Sequence, residues 1–304
     1  MTDSSIRIAN APCSWGVLEF DLPGKALGYA QVLDEIQATG YAGTELGDWG
    51  FMPTDPVDLR TQLTARHLDL LGAFVPVAFA NESAHAEGEE RAVRTAKLMA
   101  DAAGSTPFLV LADENGKDPT RTQVAGRVRR EQSLSPVQWE VYGRGVNRVA
   151  EAIRRRAGLR TVFHHHCAGY VETPWEIEAL LTVTDPKLVG LCFDTGHYRF
   201  GGGGDPVAAL RQFRERIWYV HYKDCSPAVR AESRRQGWDY FESLKHGVFC
   251  ELGKGDVDFA SVTAELRASR YQGWIVVEQD VLPGMGAPLE YARRNREYLR
   301  ACGL

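Results

Sequence analysis

The chain alternates short apolar runs with longer segments in which apolar residues recur at three- and four-residue spacing. Each run is followed by a polar or glycine-bearing turn. In chain order the runs are IRIANAPCSW, YAGTEL, DLLGAFVPV, PFLVLAD, LRTVFHH, LVGLCFD, IWYVHY and WIVVEQD. Short apolar runs bounded by turns are typical of buried strands. We therefore predict eight strands.

The segments between the runs have the spacing of amphipathic helices. Among others, we predict helices over residues 26–39, 89–103, 137–156, 175–181 and 259–269. Alternating strands and helices imply a parallel sheet. Eight such units over about 250 residues or more favour a closed (β/α)8 TIM barrel over an open sheet. No interdomain linker is apparent, so we predict a single domain over residues 1–304.

Three connections stand out between the predicted elements. Residues 113–133 and 224–255 exceed the usual connection length, and the second should contain a short helix at 238–245. We expect both to form lids or walls where the strands end. The glycines at 201–204 should make a tight return to a helix near Asp205. No Gly-rich dinucleotide fingerprint or P-loop is present, which disfavours a nucleotide-binding fold.

Composition narrows the choice of partner and compartment. A formal net charge of −5 gives no reason to expect nucleic acid or an anionic membrane as a partner. The chain begins without a signal-peptide pattern and contains no apolar stretch long enough to span a membrane. Its six cysteines occur singly, which is typical of reduced thiols. We expect a cytoplasmic protein that acts on a small, neutral molecule.

Candidate chemistry lies at the ends of the predicted strands, where TIM barrels build their sites. The residues that close these runs are rich in acids and imidazoles. They are Glu45, Asp113, Glu114, His164, His165, His166, Asp194, His221 and Glu278. Buried charges are costly unless they are paired or bound to a cation. Mixed carboxylate and imidazole ligands suit Mn²⁺, Mg²⁺, Fe²⁺, Co²⁺ or Zn²⁺, and without a thiolate among them a soft metal is not expected.

The period of two along a strand constrains which side chains point the same way. At most two of the three consecutive histidines can face one side, and Lys223 shares a side with His221. A lysine beside a cation can have a lowered pKa and act as acid or base, or it can bind substrate oxygens or pair with an acid. Early aromatic residues could line a sugar-sized pocket or belong to ordinary packing: Trp15, Trp49 and Phe79.

Several motifs of the C-terminal half carry a family resemblance. They are FHHHCAGYVET, GLCFDTGHYRFGGGGDP, IWYVHYKD, GWDYFESLKHGVFCELGKGDVDF and GWIVVEQD. NAPCSWG and GYAGTELG in the N-terminal half match more loosely. The chain resembles the inosose dehydratase family, within the xylose isomerase-like barrel superfamily that also contains sugar epimerases, 3-dehydroshikimate dehydratase and endonuclease IV.

The resemblance implies one divalent cation with four ligands at the ends of the last four strands. Asp194, His221 and Glu278 carry over directly. For the fourth ligand we prefer Glu172, with His164 or His166 as the alternative. Mn²⁺ is the leading cation, with Co²⁺, Mg²⁺, Fe²⁺ and Zn²⁺ as alternatives. The residues expected to bind substrate are His165, His197 and Trp15, and those expected to act in catalysis are Glu172, Glu278, Lys223 and Glu45.

The implied reaction is dehydration of a keto-polyol, with 2-keto-myo-inositol as the leading substrate. It would proceed by abstraction of the proton α to the carbonyl and loss of a β-hydroxide. A sugar epimerase or isomerase, or a β-eliminating lyase on 3-keto-glycosides, would use the same cation, and a non-catalytic sugar-binding barrel is a further alternative. The acidic balance argues against an endonuclease. By analogy with relatives we expect self-association.

Overall fold

The computed structural model describes residues 6–20, 24 and 27–304. Its strands are β1 (Ile6–Asn10), β2 (Gly43–Glu45), β3 (Asp69–Pro76), β4 (Phe108–Ala112), β5 (Arg160–His164), β6 (Val189–Asp194), β7 (Ile217–Tyr222), β8 (Asp224–Cys225), β9 (Phe249–Cys250) and β10 (Gly273–Val277). Eight of them close a parallel barrel in the order β1, β10, β7, β6, β5, β4, β3, β2. The other two, β8 and β9, form a small antiparallel sheet. The predicted (β/α)8 barrel is confirmed, and each of the eight apolar runs overlaps one barrel strand.

The helices of the described residues surround the barrel and its strand ends. They are α1 (Tyr29–Ala38), α2 (Pro56–Thr64), α3 (His85–Ala102), α4 (Pro119–Gln123), α5 (Pro136–Ala157), α6 (Pro174–Val183), α7 (Thr195–Phe200), α8 (Pro206–Phe213), α9 (Pro227–Gln236), α10 (Tyr240–Lys245), α11 (Phe259–Ala268) and α12 (Pro288–Ala301). Local sequence starts several of them. Before α6, for example, the Thr173 hydroxyl accepts the Glu176 backbone N–H and a proline takes the first helical position.

The predicted helices are present, with shifted ends. Helix α3 begins a turn earlier than expected, at His85, and α5 and α11 match their predicted spans within one residue. The predicted start at residue 26 lies outside the described residues, and α1 begins at Tyr29. Helix ends are the least certain part of such predictions because capping and tertiary contacts decide them.

The two long connections form walls at the carboxyl ends of the strands. The first contains α4, and the second contains β8, α9, α10 and β9. They touch each other, because Arg127 Nη1 donates to the Trp238 carbonyl at 2.6 Å and Arg234 Nε donates to the Gly126 carbonyl at 3.1 Å. Tyr240, on α10, is buried, and its hydroxyl lies 3.4 Å from Nε2 of His166 and 3.5 Å from Oδ2 of Asp280. Together the two connections cover one side of the strand ends.

In the turn between α7 and α8, two glycines lie so close to neighbouring residues that a side chain would not fit. A Cβ on Gly201 would lie 2.5 Å from the Glu172 carbonyl oxygen, and one on Gly203 would lie 2.4 Å from the Tyr198 ring. The Asp205 side chain then accepts the Val207 N–H at 2.9 Å and begins α8. These contacts give two of the glycines a packing role.

Buried, mostly apolar side chains fill the barrel interior and form a floor below the strand ends. Its buried side chains include Ala9, Leu71, Val110, Val162, Cys192, Tyr219 and Val276. Polar groups at the carboxyl ends therefore rest on apolar packing, where electrostatic interactions are strong. Within the part of the chain described here, no helix has the length and apolar character of a membrane span.

Candidate active site

Four side chains able to bind a cation meet at the carboxyl ends of neighbouring strands. His164 ends β5, Asp194 ends β6, His221 lies near the end of β7, and Glu278 directly follows β10. All four are buried. One donor atom of each lies within 4.8 Å of the other three. We call these residues the four-donor cluster.

Asp194 is oriented by the helix that follows it. As the N-cap of α7, it accepts the His197 backbone N–H through Oδ1 at 2.7 Å. Its other oxygen, Oδ2, faces Nε2 of His164 at 3.5 Å and Nδ1 of His221 at 3.9 Å. The cap therefore leaves one carboxylate oxygen directed into the cluster.

Glu45 on β2 orients His221 from across the barrel. The Nε2–H of His221 donates to Oε1 of Glu45 at 2.9 Å. Burial opposes the charged ring, but neighbouring Cys192, Glu278 and Glu45 raise the pKa of His221 well above its ordinary value. Its Nδ1 is buried, lies 3.2 Å from Oε1 of Glu278 and has no hydrogen-bond partner among the described residues. In the metal-free protein the charged ring faces this carboxylate, and a bound cation would take the place of the proton on Nδ1. A carboxylate behind a metal-binding histidine is also the usual way to fix its tautomer.

The donor set fits a divalent cation. Two imidazoles and two carboxylates are ligands suited to Mn²⁺, Fe²⁺, Co²⁺ or Zn²⁺. Nδ1 of His164 is, like that of His221, buried without a hydrogen-bond partner in the described part of the chain. Unpartnered buried nitrogens are costly. On His164 the nitrogen that faces Asp194 is Nε2, so its Nδ1 points away from the cluster.

Lys223 is a fixed positive charge beside the cluster. Its Nζ lies 2.9 Å from Oδ1 of Asp280, 3.0 Å from Oε2 of Glu278 and 3.6 Å from Oδ2 of Asp194. Burial opposes the charged form, but these three carboxylates raise the pKa of Lys223 well above its ordinary value. Of the alternatives that the sequence left open for Lys223, this geometry matches a lysine paired with an acid. The buried ammonium ion also helps hold the pKa of Asp194 below its ordinary value, against the effect of burial.

The cluster opens into a cavity at the barrel mouth. Besides Glu45, Lys223 and members of the cluster, the wall includes Cys13, Glu19, Asp48, Phe74, His166 and Asp280. A depression at the other end of the barrel is lined by Phe108, Arg160, Trp218 and Trp274 and contains no histidine, aspartate or glutamate. The chemistry is therefore concentrated at the carboxyl ends.

Glu19 and His166 face each other on the cavity wall. Nδ1 of His166 donates to the Cys167 carbonyl at 2.6 Å, which leaves Nε2 facing Oε1 of Glu19 at 3.4 Å. Burial, and then the charge of Asp280, raise the pKa of Glu19 to about 8. The cavity thus contains one carboxyl group that stays protonated near neutral pH.

The structure does not bring Glu172 to the cluster. Its Oε1 accepts the Gly126 N–H at 2.7 Å and its Oε2 accepts the Ala168 N–H at 2.8 Å. Both oxygens thus join two loops, and His164 takes the fourth place in the cluster. His164 is the alternative to Glu172 that the sequence also allowed, and the identity of the fourth ligand stays a prediction. Burial raises the pKa of Glu172 to about 7.

The expected substrate-binding histidines lie behind the cavity wall. His165 is on the opposite side of β5 from His164 and His166, where its Nε2 accepts the Asp194 N–H at 3.1 Å. His197 is fully buried, with Nε2 3.0 Å from Nζ of Lys223. Neither side chain lines the cavity. His165 points away from the site because successive side chains along β5 alternate between its two faces. His197 lies beneath Lys223 because it belongs to the first turn of α7.

The early aromatic residues are also not part of the cavity wall. Trp15 is buried and donates its Nε1–H to Glu35 at 2.6 Å. Trp49 stacks against Arg94, and Phe79 packs on Tyr142 inside the core. An aromatic residue that follows a strand can line the cavity or pack in the core. The turn after the strand decides which, because it sets the direction of the ring.

Two further strand-end acids serve other contacts. Asp113 accepts the Tyr170 N–H at 2.8 Å, and burial raises its pKa to about 6. Glu114 lies 3.7 Å from Arg91 in an ion pair. Neither lines the cavity.

Sequence reasoning missed several cavity residues. Asp280 follows Glu278 by two residues, so the period of two could have identified it. Phe74 lies inside a predicted strand, and in a continuous apolar run the sequence does not show which side chains point toward the cavity. Glu19 and Asp48 lie in loops, and no pattern in the sequence distinguishes them from surface acids.

Comparison with known proteins agrees with the fold. Residues 33–302 match the family model described as xylose isomerase-like TIM barrel. A solved 3-keto-D-glucoside 4-epimerase from E. coli superimposes with a TM-score of 0.68 at 17% identity, over 98% of this chain and 100% of that one. At this identity the likeness concerns the fold alone.

Two curated relatives match over nearly their whole length. An inosose dehydratase of Geobacillus kaustophilus is 34% identical, with 98% of this chain and 95% of the relative covered. An inosose dehydratase of Lacticaseibacillus casei (strain BL23) is 30% identical, with 99% and 97% covered. These matches extend through both halves of the barrel.

Proposed function

Because the chain belongs to the xylose isomerase-like TIM barrel family, we propose that it is a lyase that dehydrates a keto-polyol, with 2-keto-myo-inositol as the leading substrate. Its full-length relatives named inosose dehydratase support this choice. The observation that carries the chemistry is the four-donor cluster, in which one donor atom of each residue lies within 4.8 Å of the other three. Two imidazoles and two carboxylates at such distances are suited to a divalent cation.

The proposed cation is held by His164, Asp194, His221 and Glu278. Mn²⁺ is the leading identity, with Co²⁺, Mg²⁺, Fe²⁺ or Zn²⁺ as alternatives. When bound, a divalent cation polarises a ketone and contributes several kcal/mol to the stability of the enolate. Glu45 holds His221 in the tautomer that presents Nδ1 to the cation. Glu172 keeps a structural role in the proposal and leaves the ligand set.

Elimination next to a ketone needs a base for the α-proton and an acid for the β-hydroxyl. We assign the base to Glu45, which lines the cavity and whose partner His221 fixes its position. Lys223 is a buried ammonium ion on the cavity wall, and its positive charge stabilises a substrate oxygen that gains negative charge. Glu19 carries a proton near neutral pH and supplies it to the departing hydroxide.

The test is turnover of 2-keto-myo-inositol by Mn²⁺-loaded protein in deuterated water, followed by NMR. We expect a new dione signal as water is lost. Deuterium at the α-carbon, or inverted configuration, without loss of water would replace the lyase by an epimerase. Glu45→Gln should slow both dione formation and α-deuteration by about 10²-fold or more, whereas Glu19→Gln should slow only dione formation.

The remaining expectations from the sequence stay predictions. The partner is a small keto-polyol or sugar, with no nucleic acid and no membrane. The six unpaired cysteines are consistent with a cytoplasmic location. Self-association and the single-domain organisation also remain to be measured.

A further inference from the structure

Cys192 lies directly below the four-donor cluster inside the barrel. It precedes Asp194 by two residues on β6, so both side chains point toward the barrel axis. It pairs with His164 in the register of β5 and β6. Its side chain is fully buried. Cys192 was not among the strand-end residues from which we expected no soft metal.

Cys192, His164 and His221 form a second donor set. One donor atom of each lies within 4.8 Å of the other two. The set contains sulfur and nitrogen and no carboxylate. Nδ1 of His164 is available to it, because this ring faces Asp194 through Nε2 and its buried Nδ1 has no hydrogen-bond partner among the described residues.

We propose that Cys192, at the floor below the four-donor cluster, binds thiophilic cations such as Zn²⁺, Co²⁺ or Cd²⁺. The sulfur of Cys192 and the imidazoles of His164 and His221 would be the ligands. The inference rests on the proposed function, since both histidines also belong to the four-donor cluster. Thiolate and imidazole favour these cations, whereas carboxylates favour Mn²⁺ and Mg²⁺. A hard cation therefore stays with Asp194 and Glu278, and a thiophilic one is drawn toward the floor.

When a cation binds at the floor, it displaces the proton of the Cys192 thiol. The S–H bond of Cys192 breaks, its proton leaves to solvent, and a sulfur–metal bond forms, with no change of oxidation state. Because the same two imidazoles cannot serve two cations fully, Cd²⁺ or Zn²⁺ competes with Mn²⁺. We expect these cations to inhibit the Mn²⁺-loaded protein.

Cys13 provides the matched control. It also lies near possible ligands, in a set with Glu278 and Asp280. Those carboxylates already face the Lys223 ammonium ion at 3.0 and 2.9 Å. A second cation there would meet this charge, so Cys13 is expected to bind none.

The experiment is a titration of metal-free protein with Cd²⁺, read by the ultraviolet sulfur-to-metal charge-transfer band. Wild type and Cys13→Ser should develop the band up to one equivalent. Cys192→Ser and Cys192→Ala should develop less than a tenth of it. Circular dichroism and Mn²⁺ content establish that the variants are folded.

A band that is absent in wild type, or that persists in both Cys192 variants, overturns the inference. The Cd²⁺ titration and the dehydratase assay can fail independently. Dione formation is measured with Mn²⁺ and does not need the thiol, so failure of the dehydratase proposal leaves the Cd²⁺ band in place. If Cd²⁺ no longer inhibits Cys192→Ser but still inhibits Cys13→Ser, the result further supports cation binding by Cys192.

Discussion

Single imidazole rings decide what the barrel mouth can bind. His164 and His166 face the cavity, and His165 points to the other side of β5. Alternation along a strand predicts that two of three share a side, but the sequence cannot say which side faces the axis. The His165 ring accepts a backbone N–H, and burial lowers its pKa to about 3, so it is a neutral structural group.

The choice between His164 and Glu172 as a ligand gives a direct test. His164→Ala removes a donor from the four-donor cluster and should lower Mn²⁺ content by at least tenfold. Glu172→Gln should keep the metal but destabilise the fold by about 2 kcal/mol, because an amide cannot accept from both backbone N–H groups. Elemental analysis and urea denaturation measure the two effects. Loss of metal in Glu172→Gln with metal kept in His164→Ala would restore Glu172 as the ligand.

Glu19 makes the stability of the fold depend on pH. Burial raises its pKa from 4.5 to about 8. Between these values the folded state holds a proton that the unfolded state has released, so stability falls as pH rises and the loss is complete above pH 8. Glu19→Gln removes this dependence.

Wild type and Glu19→Gln should therefore diverge with pH. Relative to its value at pH 5, the unfolding free energy of wild type at pH 9 should fall below that of the variant by about 2–4 kcal/mol. Denaturant titrations at the two pH values measure this difference. Parallel pH curves for the two proteins would show that Glu19 ionises normally.

At the scale of elements, a buried ion pair joins the first long connection to α6. Arg121 on α4 donates through Nη1 and Nη2 to Glu176 at 2.9 Å each, and both side chains are at most 1% exposed. Glu176 also accepts the Glu172 N–H at 3.1 Å. This contact links the ion pair to the loop that holds Glu172 near the site.

Breaking this ion pair should cost far more than breaking an exposed one. Arg121→Met leaves a buried carboxylate unpaired and should lower the unfolding free energy by about 3–5 kcal/mol. Arg148→Met, which removes a half-exposed partner of Glu89, is the control and should cost less than about 1 kcal/mol. Equal costs in urea denaturation would contradict the structural role of the α4 contact.

The elements show where sequence reasoning succeeds. Continuous apolar runs predict the eight barrel strands, because burial on both faces leaves a strong pattern. The two-residue strands β8 and β9 left no such pattern, since tertiary contacts in the second connection determine them. For the same reason Asp194 and His221 could be named from strand ends, whereas Glu19 lies in a loop whose path no local rule predicts.

At the scale of the whole molecule, a cation would tie four strands of the barrel together. Ligands that bind only the folded state stabilise it by mass action, by about 2.7 kcal/mol at a hundredfold excess over Kd. Mn²⁺ at that excess should raise the Tm of stripped protein by several degrees. The shift should disappear in His164→Ala. An unchanged Tm in wild type would count against a cation between β5, β6, β7 and the end of β10.

The most direct test is dione formation from 2-keto-myo-inositol by metal-stripped protein, before and after one equivalent of Mn²⁺ is restored. We expect no dione from the stripped protein and steady formation once the cation is restored. Full turnover by stripped protein, or none after reloading, would contradict a cation-dependent dehydratase built on His164, Asp194, His221 and Glu278.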